Sequence, residues 1–343
     1  MLDDIFYMRR ALQLAANGMQ HTSPNPMVGA VVVASDGRII GEGWHRRCGG
    51  PHAEVNAIRS VSPTDRPLIA QSTVYVPLEP CSHYGKTPPC ALLLVSEHVR
   101  RVVMATLDPF PKVAGRGIAM LREAGIEVTV GVLEDEALRL NRRFMTAHTL
   151  HRPYITLKWA QSADGWMDSL TRHPMAFSTP LTQTLTHRLR SLHDGIITSA
   201  RTANTDNPRL DVRRWPWGDV PRPVILYRNE RPAGSLGLLA DTERDVITIG
   251  CNGRNLADIM GELYTSHGLT SVLVEAGPRL LERFIETGLW DEIRAEISPV
   301  ALGDDGVHRA PVFPGIPDRV EHAGTQDIFY KYRQTTQRPF RQD

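Results

Sequence analysis

Pro51-His52-Ala53-Glu54 and the later pair Leu78-Glu79-Pro80-Cys81 and Pro88-Pro89-Cys90 constrain this chain more than any other stretch. His52, Cys81 and Cys90 offer one imidazole nitrogen and two thiolates, and three such ligands leave a fourth position open, as a catalytic zinc requires. A helix opens near His52. Thr73 to Pro77 reads as a short buried strand running into Cys81, and the helix after Cys90 carries Leu92, Leu93 and Val95. The ligands therefore fall where strands hand over to helices, which fits a layered α/β domain.

Glu54 lies two residues past His52, where it can reach a metal-activated water without ligating the ion. It would take that water's proton as general base, and the hydroxide would attack a ring carbon bearing an exocyclic amine. This is the H-x-E…P-C-x-x-C logic of zinc deaminases, with one departure: eight residues, Ser82 to Pro89, separate the cysteines. Two other readings stand beside it. A closed structural zinc site would need His83 as fourth ligand and would leave Glu54 without a role; alternatively, the cysteines are unliganded core residues.

At 343 residues the chain exceeds one hydrophobic core, so two domains are expected, residues 1–150 and 151–343, with His151-Arg152-Pro153 at the boundary. In the first, a helix over residues 4 to 18 is followed by a hairpin, Val28 to Ala34 and Ile39 to Trp44. Further strands at Arg101 to Ala105 and Ile126 to Val130 flank a helix at Gly117 to Glu123, and a single helix runs from Glu134 to about Ala147. This alternation predicts a three-layer α/β domain. The second half starts again with a strand, Tyr154 to Ala160, and a turn, Ser162 to Gly165. Helices follow at Leu181 to Leu192, 256–266 and 278–286, with strands at 195–198, 224–227, 246–249, 272–274 and 293–297: a second α/β domain.

A formal charge of +1 gives no global attraction to nucleic acid or anionic membranes, so a small phosphorylated metabolite fits better than a polymer. The acidic N-terminus lacks a secretory pattern and no apolar run is long enough to span a bilayer, so a cytoplasmic protein is expected. In that reducing compartment Cys81 and Cys90 suit a metal better than a disulfide.

Ser23-Pro24-Asn25-Pro26-Met27-Val28-Gly29, Gly43-Trp44-His45, Pro51 to Ala57, and Leu78 to Cys90 with its Ser-His-x-Gly-x-Thr-Pro-Pro insertion together resemble the RibD family of bifunctional riboflavin-biosynthesis deaminase–reductases. The resemblance implies a cytidine-deaminase-like first domain acting on a phosphoribosylamino-diaminopyrimidinone. Glu54 would be catalytic, His52, Cys81 and Cys90 would hold one zinc ion, and Asn25, His83 and Lys86 would contact substrate. On the residues alone Asn25 serves equally as a turn former, and Lys86 as a solvated charge.

For the second half the resemblance implies a dihydrofolate-reductase-like domain that uses NADPH to reduce the ribosyl group to ribityl. Lys158, Arg190, Leu210, Arg213 and Glu275 would bind substrate; Gln161, Thr202, Asp206, Gly277 and Pro278 would bind the cofactor. Gly277-Pro278 before a helix suits a pyrophosphate, and Lys158 or Asp206 is the candidate proton source. A homo-oligomer is implied as well. The family's Gly-x-Ser-x-Trp-Ile segment reads Thr171 to Ser178 here, with Pro174 and Ala176 at the serine and tryptophan positions. A deaminase alone, with a C-terminal binding or dimer-forming module, is therefore the second reading, and a zinc-stabilised binding protein the third.

Overall fold

The computed structural model describes residues 2–82, 84, 88–110, 114–170, 177–241 and 243–333. Two compact units divide the chain between Leu150 and His151.

The N-terminal unit runs α1 (Leu2–Ala16), β1 (Gly29–Val33), β2 (Ile39–Trp44), α2 (Ala53–Ser60), β3 (Thr73–Leu78), α3 (Cys90–Ser96), β4 (Arg101–Thr106), α4 (Arg116–Glu123), β5 (Glu127–Val130), α5 (Glu134–Leu140) and α6 (Arg142–Leu150). Its five strands lie in the order β2-β1-β3-β4-β5. The β1 strand pairs antiparallel with both β2 and β3, and the β3/β4 and β4/β5 pairs are parallel. Alternation along β1 sends Ala30 and Val32 to a core with Ala53, Ala57, Leu94 and Leu121 of α2, α3 and α4. Val31 and Val33 join Met8, Ala11 and Leu12 of α1 on the other face. Three layers result, as the strand and helix alternation predicts.

Two glycines set how closely the layers approach. A Cβ on Gly29 would lie 2.2 Å from the Ala11 carbonyl oxygen, and one on Gly43 would lie 2.4 Å from the Ala57 nitrogen. Helices α1 and α2 thus seat directly on the hairpin, and α2 fixes where His52 and Glu54 stand.

The helix expected over 134–147 is two helices, α5 and α6, meeting at Asn141. That side chain is diverted to the loop before β1: its Oδ1 accepts the Met27 N–H at 2.8 Å and its Nδ2 donates to the Met27 carbonyl at 2.8 Å. A side-chain amide that pairs with remote backbone competes with helix continuation.

The C-terminal unit contains β6 (Tyr154–Gln161), α7 (Pro180–Arg190), β7 (Gly195–Ser199), α8 (Ala200–Asp206), β8 (Arg222–Tyr227), α9 (Gly237–Ala240), β9 (Ile247–Gly250), α10 (Leu256–Thr265), β10 (Ser271–Val274), α11 (Pro278–Glu286), β11 (Glu292–Ile297), β12 (Arg319–Ala323) and β13 (Gln326–Tyr332). Eight strands form one sheet, β12-β13-β11-β6-β10-β7-β8-β9, parallel from β11 to β9 and closed by an antiparallel hairpin. The hairpin and α8 were not foreseen from sequence. One face packs on α10 and α11 through Ile259, Leu263, Leu281 and Phe284. The other packs on Leu189 of α7 and on Ala200 and Ala203 of α8. Among the described residues no helix is long and apolar enough to cross a membrane.

Candidate active sites

The first site is built where α2 and α3 begin and β3 ends. His52 is the N-cap of α2, in extended conformation and with no capping side-chain bond. Cys81 follows the buried end of β3, and Cys90 is the first residue of α3. The three ligand atoms lie within 4.8 Å of one another. His52 Nδ1 stands 3.5 Å from Cys81 Sγ and 3.3 Å from Cys90 Sγ, and the Cys90 backbone N–H donates to Cys81 Sγ at 3.3 Å.

Charge in this cluster calls for a cation. A hydrogen bond between the two cysteine side chains brings the Cys81 thiol down to about 4, with His52 assisting. The same bond, then burial and the charge of Glu54, pushes Cys90 in the opposite direction. Only one thiolate forms easily while no positive ion separates the two sulfurs. Glu54 is 4% exposed, and burial followed by Cys81 raises its carboxyl above the usual range. Two sulfurs, an imidazole and a buried carboxylate around one point fit Zn2+, whose charge lets both thiols ionise.

Neighbouring groups hold the histidine in place. His45 is buried and packs edge-on against His52 with ring centroids 5.5 Å apart. Burial lowers its pKa, so the ring is neutral. Its Nδ1 donates to the Pro51 carbonyl at 3.1 Å, and its Nε2 accepts from Asn25 Nδ2 at 3.2 Å. Asn25 is thereby brought to the site through His45. His83 and Lys86 lie outside the described residues.

Glu79 of the Leu78-Glu79-Pro80-Cys81 motif has a task that its residue type does not announce. Its buried carboxylate accepts four backbone N–H groups: Gly117 at 2.9 Å, Gly115 at 3.0 Å, and Asp108 and Ile118 at 3.4 Å. The strand end that carries Cys81 is thus clamped to the start of α4. Gly117 permits this closeness, since a Cβ there would lie 2.3 Å from the Pro80 carbonyl oxygen.

In the second unit, strand register gathers a polar row. Arg294 on β11 pairs with Lys158 on β6. One residue past Leu157↔Val274, Lys158 meets Glu275, whose N–H bonds to Ile197 beside Thr198 on β7. Parallel neighbours in register share a face, so these side chains lie under α7. Arg190 of α7 holds Glu275 with two bonds of 2.8 Å and donates to the Asp211 carbonyl at 3.0 Å. Although burial opposes ionisation, Arg190 and Lys158 together bring the Glu275 carboxyl down to about 2. Arg190 and Glu275, both expected to bind substrate, are thus joined as an ion pair.

The other expected residues are distributed as follows. Ser199 caps α8 by accepting the Thr202 N–H at 3.1 Å, and the Gly277 N–H donates to Thr202 Oγ1 at 3.2 Å. Thr202, Gly277 and Pro278 therefore meet at the start of α11. Asp206 ends α8, and burial raises its carboxyl, with Asp168 adding to the effect. Gln161 Oε1 accepts from Trp159 Nε1 at 2.7 Å. The Leu210 side chain is buried in the core with Leu189 and Ala203. Arg213 is half exposed and paired with Asp211. On α7, His187 carries no signal in the sequence; burial, then Arg190 and Arg213, lowers it to about 4, so it is neutral. The Thr171 to Ala176 stretch, with Pro174 and Ala176, lies outside the described residues.

The family model for the cytidine and deoxycytidylate deaminase zinc-binding region matches residues 1–106, and the RibD C-terminal domain matches residues 153–328. A curated relative, the riboflavin biosynthesis protein RibD of Aquifex aeolicus, is 38% identical over 87% of each chain. The chain belongs to the RibD family. The Escherichia coli member is 33% identical over 89% of this chain and 90% of its own. RibD of Acinetobacter baumannii superposes with a TM-score of 0.86 at 32% identity, covering 97% of this chain and 99% of its own. A Thermotoga maritima structure, a diaminohydroxyphosphoribosylaminopyrimidine deaminase and 5-amino-6-(5-phosphoribosylamino)uracil reductase, gives 0.83 at 32% identity over 96% and 98%. RibD membership makes this chain a bifunctional enzyme of riboflavin biosynthesis, with a zinc-binding deaminase domain and an NADPH-dependent reductase domain.

Proposed function

We propose that the N-terminal unit, residues 1–150, hydrolytically removes the 2-amino group of 2,5-diamino-6-(5-phosphoribosylamino)pyrimidin-4(3H)-one, and that the remainder, 151–343, reduces the ribosyl group of the product to ribityl. The observation that carries the first step is the convergence of His52, Cys81 and Cys90 within 4.8 Å around a buried Glu54 that the metal does not need as a ligand.

His52, Cys81 and Cys90 would hold the zinc, which when bound would supply a water acidic enough to lose a proton near neutral pH. Glu54 would take that proton on a carboxylate oxygen, and its burial, which favours the neutral carboxyl, suits it to hold the proton and then deliver it to the departing ammonia. Cys81 and Cys90 keep their geometry through the Cys90 N–H and the Glu79 clamp. Asn25, oriented by its bond to the neutral His45, can present its amide group to a pyrimidine edge.

The second unit would hold NADPH, which when bound would supply the hydride for C1′ of the opened sugar. Thr202, Gly277 and Pro278, at the N-terminal end of α11, suit the cofactor's pyrophosphate. Lys158 and the Arg190–Glu275 pair fix the substrate's polar edges, and half-exposed Arg213 suits its phosphate. Further parts of the proposal are a cytoplasmic homo-oligomer with no nucleic-acid partner, in keeping with the near-zero net charge.

The test couples the steps. Purified protein containing one zinc per chain should release ammonia from the diaminopyrimidine phosphate and then oxidise NADPH with the deaminated product. Ammonia release without NADPH oxidation at saturating cofactor would leave a deaminase whose C-terminal unit only binds.

A further inference from the structure

The polar row under α7 contains an acceptor that its surroundings leave unsatisfied. Glu296 on β11 is 0% exposed. Its Oε2 accepts from the Ser178 hydroxyl at 3.0 Å, whereas Oε1 has no hydrogen-bond partner among the described residues. An orphaned oxygen on a buried carboxyl group is costly, so a charged neighbour must compensate for it.

That charge is Lys158, whose Nζ stands 4.0 Å from Glu296 Oε2 with a side chain 10% exposed. The distance is too long for a hydrogen bond and short enough for a strong charge interaction. Four charged groups face Lys158 from every element packed on it: Glu275 on the β10 side, Glu296 and Arg294 on β11, and Arg190 from α7. Burial lowers the Lys158 pKa, both arginines add to that, and the two carboxylates oppose it. Arg190 spans both oxygens of Glu275 at 2.8 Å, so much of that carboxylate's charge is already answered. No arginine spans Glu296 among the described residues. It is the carboxylate with charge left for the lysine.

We propose that Glu296 is a positioning residue of the reductase site, which keeps Lys158 as an ammonium aimed to donate hydrogen bonds to the phosphoribosylamino pyrimidine. This rests on the reductase reading above. Without Glu296, Lys158 would face two arginines with only an arginine-bound carboxylate in compensation, and it would lose its proton at a lower pH. Ser178 fixes the carboxylate from the side of α7, so the device links that helix to the far side of the row.

The experiment is the pH profile of NADPH oxidation with the deaminated product, in wild type and Glu296→Gln. The alkaline limb of kcat/KM should move down by about one pH unit or more, since an opposite charge at this range shifts a pKa by about 1 to 3 units. Glu296→Asp, which keeps the charge, should restore most of the limb. In a Lys158→Arg background, where the cation does not titrate, Glu296→Gln should no longer move it. If Glu296→Gln does not fold, Glu296→Met removes the orphaned acceptor and carries the same test. A Gln or Met variant with an unmoved limb overturns the proposal, as does an equal shift in the Lys158→Arg background. Absence of NADPH oxidation in the wild type would overturn the reductase reading instead, so the two failures are distinct.

Discussion

The two halves of this chain build sites in opposite ways. The N-terminal site gathers its ligands from three segment ends and aims them at one ion, so its chemistry is nearly complete in four residues. The C-terminal site is a layer: Lys158, Arg294 and Thr198 from three strands and Glu275 just past the end of a fourth meet only because register sets them side by side. A point-like site should fail wholly when one atom changes. A layered site should fail in proportion to the charge balance disturbed.

The largest separation should come from a chelator. Stripping zinc should bring ammonia release to background while NADPH oxidation with the deaminated product persists; loss of both would show that the halves do not function independently. Glu54→Gln is next. It should keep its zinc, measured by metal analysis, while deamination falls by about 10²- to 10⁴-fold, the range for a lost general acid–base group. Loss of zinc in that variant would make Glu54 a ligand and refute its assignment.

Glu275→Ala tests the layer. It leaves Arg190 of α7 buried without its carboxylate, so the C-terminal unit should lose about 3–5 kcal/mol, read as an earlier melting transition with deamination retained at lower temperature. Unchanged melting would mean that the pair is dispensable to the fold. Smallest of all, Arg213→Ala removes a half-exposed charge and should raise KM for reduction by about tenfold with deamination spared. Equal damage to both reactions would remove Arg213 from a reductase-specific role.

The same contrast explains what could be read in advance. His52, Glu54, Cys81 and Cys90 sit in short windows with ligand chemistry written in the residue types, and the strand and helix contexts follow from local pattern. Glu79 escaped notice because its partners are backbone N–H groups of residues 108–118, which carry no side-chain signature. Asn141 escaped because its partner Met27 is 114 positions away. In β11 the charges of Arg294 and Glu296 alternate with Ile293, Ala295 and Ile297, a pattern that normally marks a solvated face. Both are buried, because α7 covers that face and its Leu185 carbonyl accepts from Arg294 at 3.2 Å. Period-two alternation reports polarity, and only the fold decides whether that polarity meets water or a ligand.

The most direct test of the central claim is product analysis of the pure, zinc-loaded protein supplied with the diaminopyrimidine phosphate. Without NADPH, ammonia and the phosphoribosylamino uracil should accumulate; with NADPH, the uracil should carry a ribityl chain and no ribosyl intermediate should remain. The same ribosyl uracil in both reactions would contradict the account, leaving a single active site on a two-domain chain.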